Sequence, residues 1–533
     1  VFLALALRSY NAGVPSLWFD EAFSWRMSRF SAADVVARTA LDNHSPFYFL
    51  LLKAWVAVCG DSQWALRWPS IMCGVLTVIG TFACLRRAIM AWDGPGWPPA
   101  SAATRVAVLG ALLVALSAFQ VHWSQEVRMY SLGTALVVWS TWALVAALTS
   151  QPRAGRYWLL YAALTAAFLY THYIAVLSVA SQLLFLLLVL ASRCGFRPGR
   201  WAADAAARGA GVAWLIIIWA CLPWAPTFFR QHAQVHADFW IRPVDLAVVQ
   251  ATIHQMFGDS RAGMVGEAPA GPEWIAAATC LALNTMLLLL VWNRSPAAWL
   301  ASCLGAGPIV MSLIISECGT PVFYVRYLIF AHVFLLAGVA LVIGGIPRNL
   351  ERRVLCVLVV VSLLWLPGVP RLWQPGPSGI GERLTARHVD VRRGDEPVIV
   401  CDAMRFLTLL YQSERRDGWR TYADGGYVAH YAGAAALLPG EVIDARQVAS
   451  VSAAHAWTVD VDTGGYLRQR VPVPDSWKVV EEARFPTEHG AAGCTFVVRR
   501  YRTRSATDAH APTTSDDEAS SGRTTESARP PRS

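Results

Sequence analysis

The stretch Trp158–Ala191, WLLYAALTAAFLYTHYIAVLSVASQLLFLLLVLA, decides the fold. It is one long apolar run broken only at His172 and Tyr173. A helix rises about 1.5 Å per residue, and a span needs about 20 apolar residues. The stretch therefore reads as two membrane helices, Trp158–Thr171 and Ile174–Ala191, with the polar break either a simple turn or a functional junction where they meet at the surface. Working outward, the same pattern repeats at Trp64–Leu85, Arg105–Val121, Tyr130–Leu148, Gly211–Trp224, Trp274–Trp292, Ala297–Ser316, Tyr327–Gly345 and Val354–Leu366. Val1–Leu7 reads as the cut end of one more. The fold expected is an all-α polytopic membrane protein of about 11 transmembrane helices.

Composition agrees. The 533 residues are 55% hydrophobic and 15% charged, against about 25% charged in soluble proteins, which excludes a purely soluble enzyme. The 24 Trp and 29 Pro argue against a fibre, a coiled coil or a mainly disordered chain. The net charge of +9 does not point to nucleic acid, because the arginines sit in short loops between apolar runs rather than on a soluble face. Among the 11 Cys, Cys73, Cys84, Cys221, Cys280, Cys303 and Cys356 lie inside those runs, and no C-x-x-C pair exists.

Arginine placement gives the sidedness. Arg86/Arg87, Arg153/Arg156, Arg193/Arg197/Arg200/Arg208, Arg294 and Arg348/Arg352/Arg353 fall in alternate loops, which the positive-inside rule makes cytoplasmic. Ser9–Gln63, Gln125–Met129, His172–Tyr173, Ala225–Glu273, Glu317–Arg326 and everything after Pro367 are then extracytoplasmic. Within the first outer loop, residues 9–63, Phe47–Cys59 is too short to span and reads as an interfacial helix with Lys53 snorkelling. Residues 1–368 thus form a membrane core. Residues 369–502 form a small extracytoplasmic α/β domain, with a strand at Glu396–Asp402, a helix at Ala403–Gln412 and a hairpin of Trp477–Phe485 with Cys494–Tyr501. Cys401 and Cys494 would be free to pair there. The Ser/Thr/Arg/Pro-rich residues 503–533 read as a disordered tail.

The first outer loop carries SLWFDEAFSW (Ser16–Trp25), two carboxylates among four aromatic rings. Asp20 and Glu21 are either caps for a following helix or reactive groups. Arg67, Arg128 and Arg326 sit at outer helix mouths where positive-inside bias depletes cations. Each has an ordinary alternative, such as Arg128 with Glu126 or Arg326 with Glu317. Together they suit a bound anion, and the anion most available at a membrane surface is a lipid phosphate. His232-x-x-x-His236, with Asp238, has metal-ligand spacing only if helical, and after Pro223 and Pro226 it reads as surface loop. Asp460–Asp462, DVD, reads as turn chemistry.

SLWFDEAFSW, DNHSPFYFLLLKAWVAVCGDSQWALRWPSI (Asp42–Ile71), WSQEVRMYSL (Trp123–Leu132), YTHYIAVL (Tyr170–Leu177) and FYVRYLIFA (Phe323–Ala331) resemble, in order and spacing, the family 39/83-like glycosyltransferases of the GT-C fold. That group includes protein O-mannosyltransferases, bacterial aminoarabinose transferase and lipopolysaccharide galacturonosyltransferases. The resemblance implies inverting transfer of one sugar from a polyprenyl-phosphate carrier, in a cell membrane, to a glycolipid, protein or cell-envelope polymer on the extracytoplasmic side. It makes Asp20, with Glu21, catalytic, and gives Arg67, Arg128, Arg326 and His172 to the donor phosphate. His44, Tyr48, Tyr130 and Tyr327 go to substrate contact. A divalent metal is compatible with the sequence and not required by it. HSPFY (His44–Tyr48) departs from the commoner His-Pro-Pro-Leu-Tyr. The alternatives are a transporter or flippase, which usually shows repeats and mid-span ionisable groups, and a non-catalytic scaffold of a polysaccharide pathway.

Overall fold

The computed structural model describes residues 1–92, 100–150, 153–195, 197–237, 241, 243–257, 273–292, 295–346, 349–352, 354–355, 379–462, 470–487 and 494–503. In chain order the helices are α1 (Phe2–Ser9), α2 (Phe19–Ser28), α3 (Ala32–Leu41), α4 (Phe47–Cys59), α5 (Gln63–Ala91), α6 (Ala103–Leu116), α7 (Ala118–Ser124), α8 (Tyr130–Thr149), α9 (Ala154–Leu169) and α10 (Ala175–Cys194). They continue as α11 (Pro198–Ala203), α12 (Ala205–Cys221), α13 (Ala225–Ala237), α14 (Leu246–Phe257), α15 (Glu273–Trp292), α16 (Pro296–Glu317) and α17 (Ile329–Gly345).

Among the described residues six helical stretches are long and apolar enough to cross a membrane, or seven if α6 and α7 count as one bent span. α9, at 16 residues, and the apolar part of α15, Leu281–Trp292, are shorter. The expected span Val354–Leu366 lies almost wholly outside the described residues. α8 and α17 are the most enclosed of the six and form the centre of the bundle, whereas α12–α13 presents Val212, Leu215, Trp219 and Phe229 outward. This all-round apolar surface is what a lipid-facing helix requires.

Two local features depart from the sequence reading. The expected span Arg105–Val121 breaks at Ser117, where the axis turns by 60°. Ser117 caps α7 by accepting from Gln120 N, and the carbonyls left over at the end of α6 are met by a buried arginine. Arg8 donates from Nη1 to Ala115 O and from Nη2 to Val114 O, each at 3.2 Å, and from Nε to Ser124 Oγ at 3.2 Å. Among the described residues no carboxylate pairs with this buried cation, and it is held by helix C-terminal carbonyls, where the helix dipole is negative. Gly74 makes room, since a Cβ there would stand 2.6 Å from Arg8 Nε. The second departure is at Pro223 and Pro226, where the chain does not leave the helix as a loop. A 3-10 turn, Leu222–Trp224, leads into α13, with Pro226 in its first turn, where no amide donor is needed.

The C-terminal residues form a six-stranded sheet in the order β3-β2-β1-β4-β6-β5. Its strands are β1 (Val398–Val400), β2 (Trp419–Tyr422), β3 (Val442–Ile443), β4 (His455–Asp462), β5 (Lys478–Pro486) and β6 (Thr495–Arg502). β1 to β4 pair in parallel, and the β5–β6 hairpin adds antiparallel to β4. Helices α18 (Ile380–Asp390) and α19 (Ala403–Gln412) pack beside it. β1 is buried on both faces, which is why VIV reads as an unbroken apolar run. Asp460–Asp462 lies in strand β4, not in a turn, and buried Asp460 is held by Arg499 at 2.7 Å. Cys401 and Cys494 are both buried free thiols.

α18 crosses the hairpin so closely that a Cβ on Gly381 would stand 2.1 Å from the Pro486 carbonyl oxygen. Backbone cannot retreat as a side chain can, so Gly381→Ala should cost about 1–3 kcal/mol through overpacking. The check is limited proteolysis: the variant should be cut within 379–503 faster than wild type. Equal cutting rates would mean the helix shifts freely.

Candidate functional site

The first loop is built around a change of direction between neighbouring residues. Consecutive helical side chains point about 100° apart, so on α2 Glu21 turns into the protein while Asp20 turns to a cavity. Glu21 accepts from Arg67 Nε at 2.8 Å and Nη2 at 2.6 Å, from Val127 N at 3.0 Å and from Trp18 N at 3.4 Å. Arg67 also donates to the carbonyls of Ala12 and Pro15, both at 2.8 Å, and of Ser16 at 3.2 Å. Arg67 thus spends its five N–H donors inside the protein, and neither it nor Glu21 lines the cavity. Both were expected at the reacting centre. The structure instead makes them the buried pair that fixes the loop to α5.

Asp20 Oδ2 lies 2.9 Å from Arg326 Nη1 and 3.8 Å from Arg128 Nε. The alternatives for the two arginines, Glu126 and Glu317, are thereby replaced by one shared carboxylate. Burial pushes the Asp20 carboxyl up, but the Arg128 and Arg326 guanidiniums outweigh it and hold the group below its ordinary value. No hydrogen bond from the described residues engages Oδ1, since Arg326 donates to Oδ2. Arg326 sits in the 3-10 turn Val325–Leu328 with its guanidinium 5.0 Å from the Tyr324 ring and 5.9 Å from those of Tyr130 and Tyr327. Desolvated cation–π contacts of this kind hold an arginine without consuming its donors.

These groups surround a cavity of about 280 Å³. His172, Tyr130 and Tyr327 line it, while Tyr48 is buried behind it. His172 Nδ1 accepts from Ile174 N at 3.1 Å, so the neutral ring carries its proton on Nε2. Burial, then the Arg128 and Arg326 charges, hold its pKa well below the usual imidazole value. One wall is apolar, with Val176, Phe228, Val235, Ile315 and Val322. The opposite cover comes from the C-terminal domain, with His430, Tyr431 and Gly433. That cover is tied down by Arg26 to Glu441 at 2.6 Å and by Arg38 Nη1 to the carbonyls of Ala435 and Leu437 at 2.7 and 2.9 Å.

Sequence reading missed Asp42, Gln231 and the cover residues. Asp42 lies in the quoted DNHSP motif, but nothing in a linear motif shows that its carboxylate binds His44. The cover residues carry no local signal at all. His232 and His236 do lie on a helix, and His232 faces the cavity with its ring 6.3 Å from Phe228, near-parallel at 13°. Asp238 is outside the described residues. Among the described residues no three His, Cys, Asp or Glu side chains converge as metal ligands would.

Residues 43–224 match the family model described as dolichyl-phosphate-mannose-protein mannosyltransferase. No curated protein sequence matches the chain. Among solved structures, ArnT from Cupriavidus metallidurans is similar in its apo state, with TM-score 0.59, 12% identity, and 94% of this chain and 96% of that chain covered. The same enzyme bound to undecaprenyl phosphate gives TM-score 0.60 at 13% identity, covering 94% and 97%. The arabinofuranosyltransferase AftD from Mycobacteria gives TM-score 0.51 at 14% identity, covering 95% of this chain but 39% of its own length. At these identities the likeness speaks for architecture, and it extends over the membrane core and the C-terminal domain together: the chain has the GT-C fold of membrane glycosyltransferases.

Proposed function

We propose that the protein is a membrane glycosyltransferase that moves a sugar from a polyprenyl-phosphate donor to an acceptor hydroxyl, with inversion, on the extracytoplasmic face. The observation that carries this reading is the Asp20 carboxylate facing two guanidiniums, Arg128 and Arg326, in one cavity. In the reaction the acceptor oxygen attacks the anomeric carbon and its proton passes to Asp20 Oδ1. The bond from that carbon to the phosphate oxygen breaks with its electron pair, and Arg128 and Arg326 meet the charge that develops on the phosphate. The apolar wall of α10, α13 and α16 suits the lipid tail. His172, Tyr130 and Tyr327 would contact the sugar or its phosphate. His44 stands close to the same phosphate. The family match at residues 43–224 and the polyprenyl phosphate bound by ArnT support the donor class. The acceptor is a glycolipid, a protein or a cell-envelope polymer.

The test is transfer of labelled sugar from extracted polyprenyl-phosphate sugars by membranes carrying the protein. Arg128→Ala should raise the donor KM by about tenfold to a hundredfold, the loss of one charge-assisted hydrogen bond. Arg153→Ala, at the opposite end of the bundle, should leave it unchanged. Equal effects would sink the assignment of the phosphate to this cavity.

A further inference from the structure

Asp42, His44 and Arg128 form a hydrogen-bonded chain that the reaction as written does not use. Arg128 Nη2 lies 2.8 Å from His44 Nε2, and His44 Nδ1 lies 2.8 Å from Asp42 Oδ2. A guanidinium can only donate, so Nε2 is the accepting nitrogen and the ring proton sits on Nδ1, donated to the Asp42 carboxylate. The tautomer is therefore fixed from both sides. The ring is also held in place, with its centroid 5.7 Å from that of Phe23 and 5.8 Å from that of Phe49. Asp42 is buried, and its carbonyl accepts from Gln231 Nε2 of α13 at 2.5 Å.

The shortest hydrogen bond that Arg128 makes among the described residues is the one to this chain. Its Nη1 reaches Asp20 O and Ser24 Oγ only at 3.5 Å, the outer limit of a hydrogen bond. Its Nε is buried with no hydrogen-bond partner among the described residues. The guanidinium is thus gripped at Nη2, while its Nε faces the Asp20 carboxylate at 3.8 Å, beyond hydrogen-bond range.

We propose that Asp42 and His44 are positioning residues that aim Arg128 at the donor phosphate, and that they do so only while His44 carries a single proton, so that donor affinity falls on acidification. This rests on the phosphate reading of the cavity. A second proton on His44 removes the acceptor for Nη2 and sets two cations against each other. The charged and titratable groups facing the ring are Asp42, two residues before it, Asp20 of α2, Arg128 of the α7–α8 loop and His172 of the α9–α10 turn, while the Tyr173 hydroxyl reaches the His44 backbone carbonyl. Arg326 and His232 line the same cavity. Of these, His172 is held neutral by burial and its cationic neighbours, and it cannot supply the acid step.

The experiment uses the full-length protein in detergent and, as probe, the methyl diester of undecaprenyl phosphate, whose single charge does not titrate near neutrality. Binding is followed from about pH 8 to about pH 5.5, the range over which an imidazole charges. Wild type should lose about tenfold or more in affinity toward acid, the scale of one hydrogen bond to a charged group. His44→Gln, whose amide oxygen accepts from Arg128 at every pH, should bind with no acid loss, and His44→Ala should bind weakly throughout. An acid loss that persists unchanged in His44→Gln overturns the proposal. Nitrogen-15 spectra of labelled histidine decide the chain without any lipid: His44 should be the Nδ1–H tautomer in wild type and lose that preference in Asp42→Asn. If wild type binds no diester at any pH, the phosphate reading fails. An Nε2–H tautomer in wild type would refute the relay itself.

Discussion

Asp20→Asn is expected to lower sugar transfer by about 10²- to 10⁴-fold, the range for removing a positioned general base, while leaving binding of a polyprenyl phosphate intact or tighter. Asparagine keeps the shape but cannot take the acceptor's proton. It also removes the negative charge that Arg128 and Arg326 share at Oδ2, so that charge no longer competes with a phosphate. The two-sided result separates chemistry from folding, because a collapsed site would lose both. Membranes with equal protein abundance, supplied with labelled lipid-linked sugar, give the first half, and direct lipid binding gives the second. Undiminished transfer would remove Asp20 from the reaction. The pH dependence follows from the same contacts. With the Asp20 carboxyl held below its ordinary value, the ion pairs stabilise the fold above the ordinary carboxylate range and are lost as pH falls through the lower folded value. The rate at saturating donor should therefore show no acid limb from Asp20 until pH drops beneath that range.

The second large effect is on stability. Arg67→Ala or Glu21→Ala should each cost about 3–5 kcal/mol, because either leaves the other charge buried and unpaired. Arg67 is the graver loss, since three loop carbonyls, of Ala12, Pro15 and Ser16, lose their donors with it. Replacing both residues by apolar groups of similar size, Glu21→Leu with Arg67→Met, should recover part of the loss. Thermal unfolding of the detergent-solubilised protein measures all three. Single variants as stable as wild type would mean that water reaches the pair.

Much of this was legible in the linear sequence. Period and length marked the helices at Tyr130–Thr149 and Ala175–Cys194 to within a few residues, and Ala403–Gln412 and the terminal hairpin were read nearly to the residue. The break at Ser117 was not, because it depends on Arg8, more than a hundred positions away, reaching the freed carbonyls. The same limit governs the site. Asp20, Arg128, Arg326 and His172 stand out as polar residues in apolar settings, and the structure brings all four to one cavity. Arg67 stands out equally, yet its partner turned out to be Glu21, since a sequence shows which charges are anomalous and not which of them satisfy one another. His44 stood in the quoted motif with Asp42 two positions before it, but its grip on Arg128 and the cover at His430–Gly433 are products of tertiary contact.

That cover also bears on how the protein is made. Gly433 packs so close to the Phe19 ring that a Cβ there would stand 3.1 Å from it, and Arg26 finds its carboxylate 415 positions later in the chain. During synthesis the membrane helices are inserted long before residue 441 leaves the ribosome, and chains grow at about 5–20 residues per second. For that interval the Asp20 carboxylate stands in a half-built chamber that still lacks His430, Tyr431 and Gly433. On the proposed function, sugar transfer is therefore expected to begin only once the last domain of a nascent chain has docked.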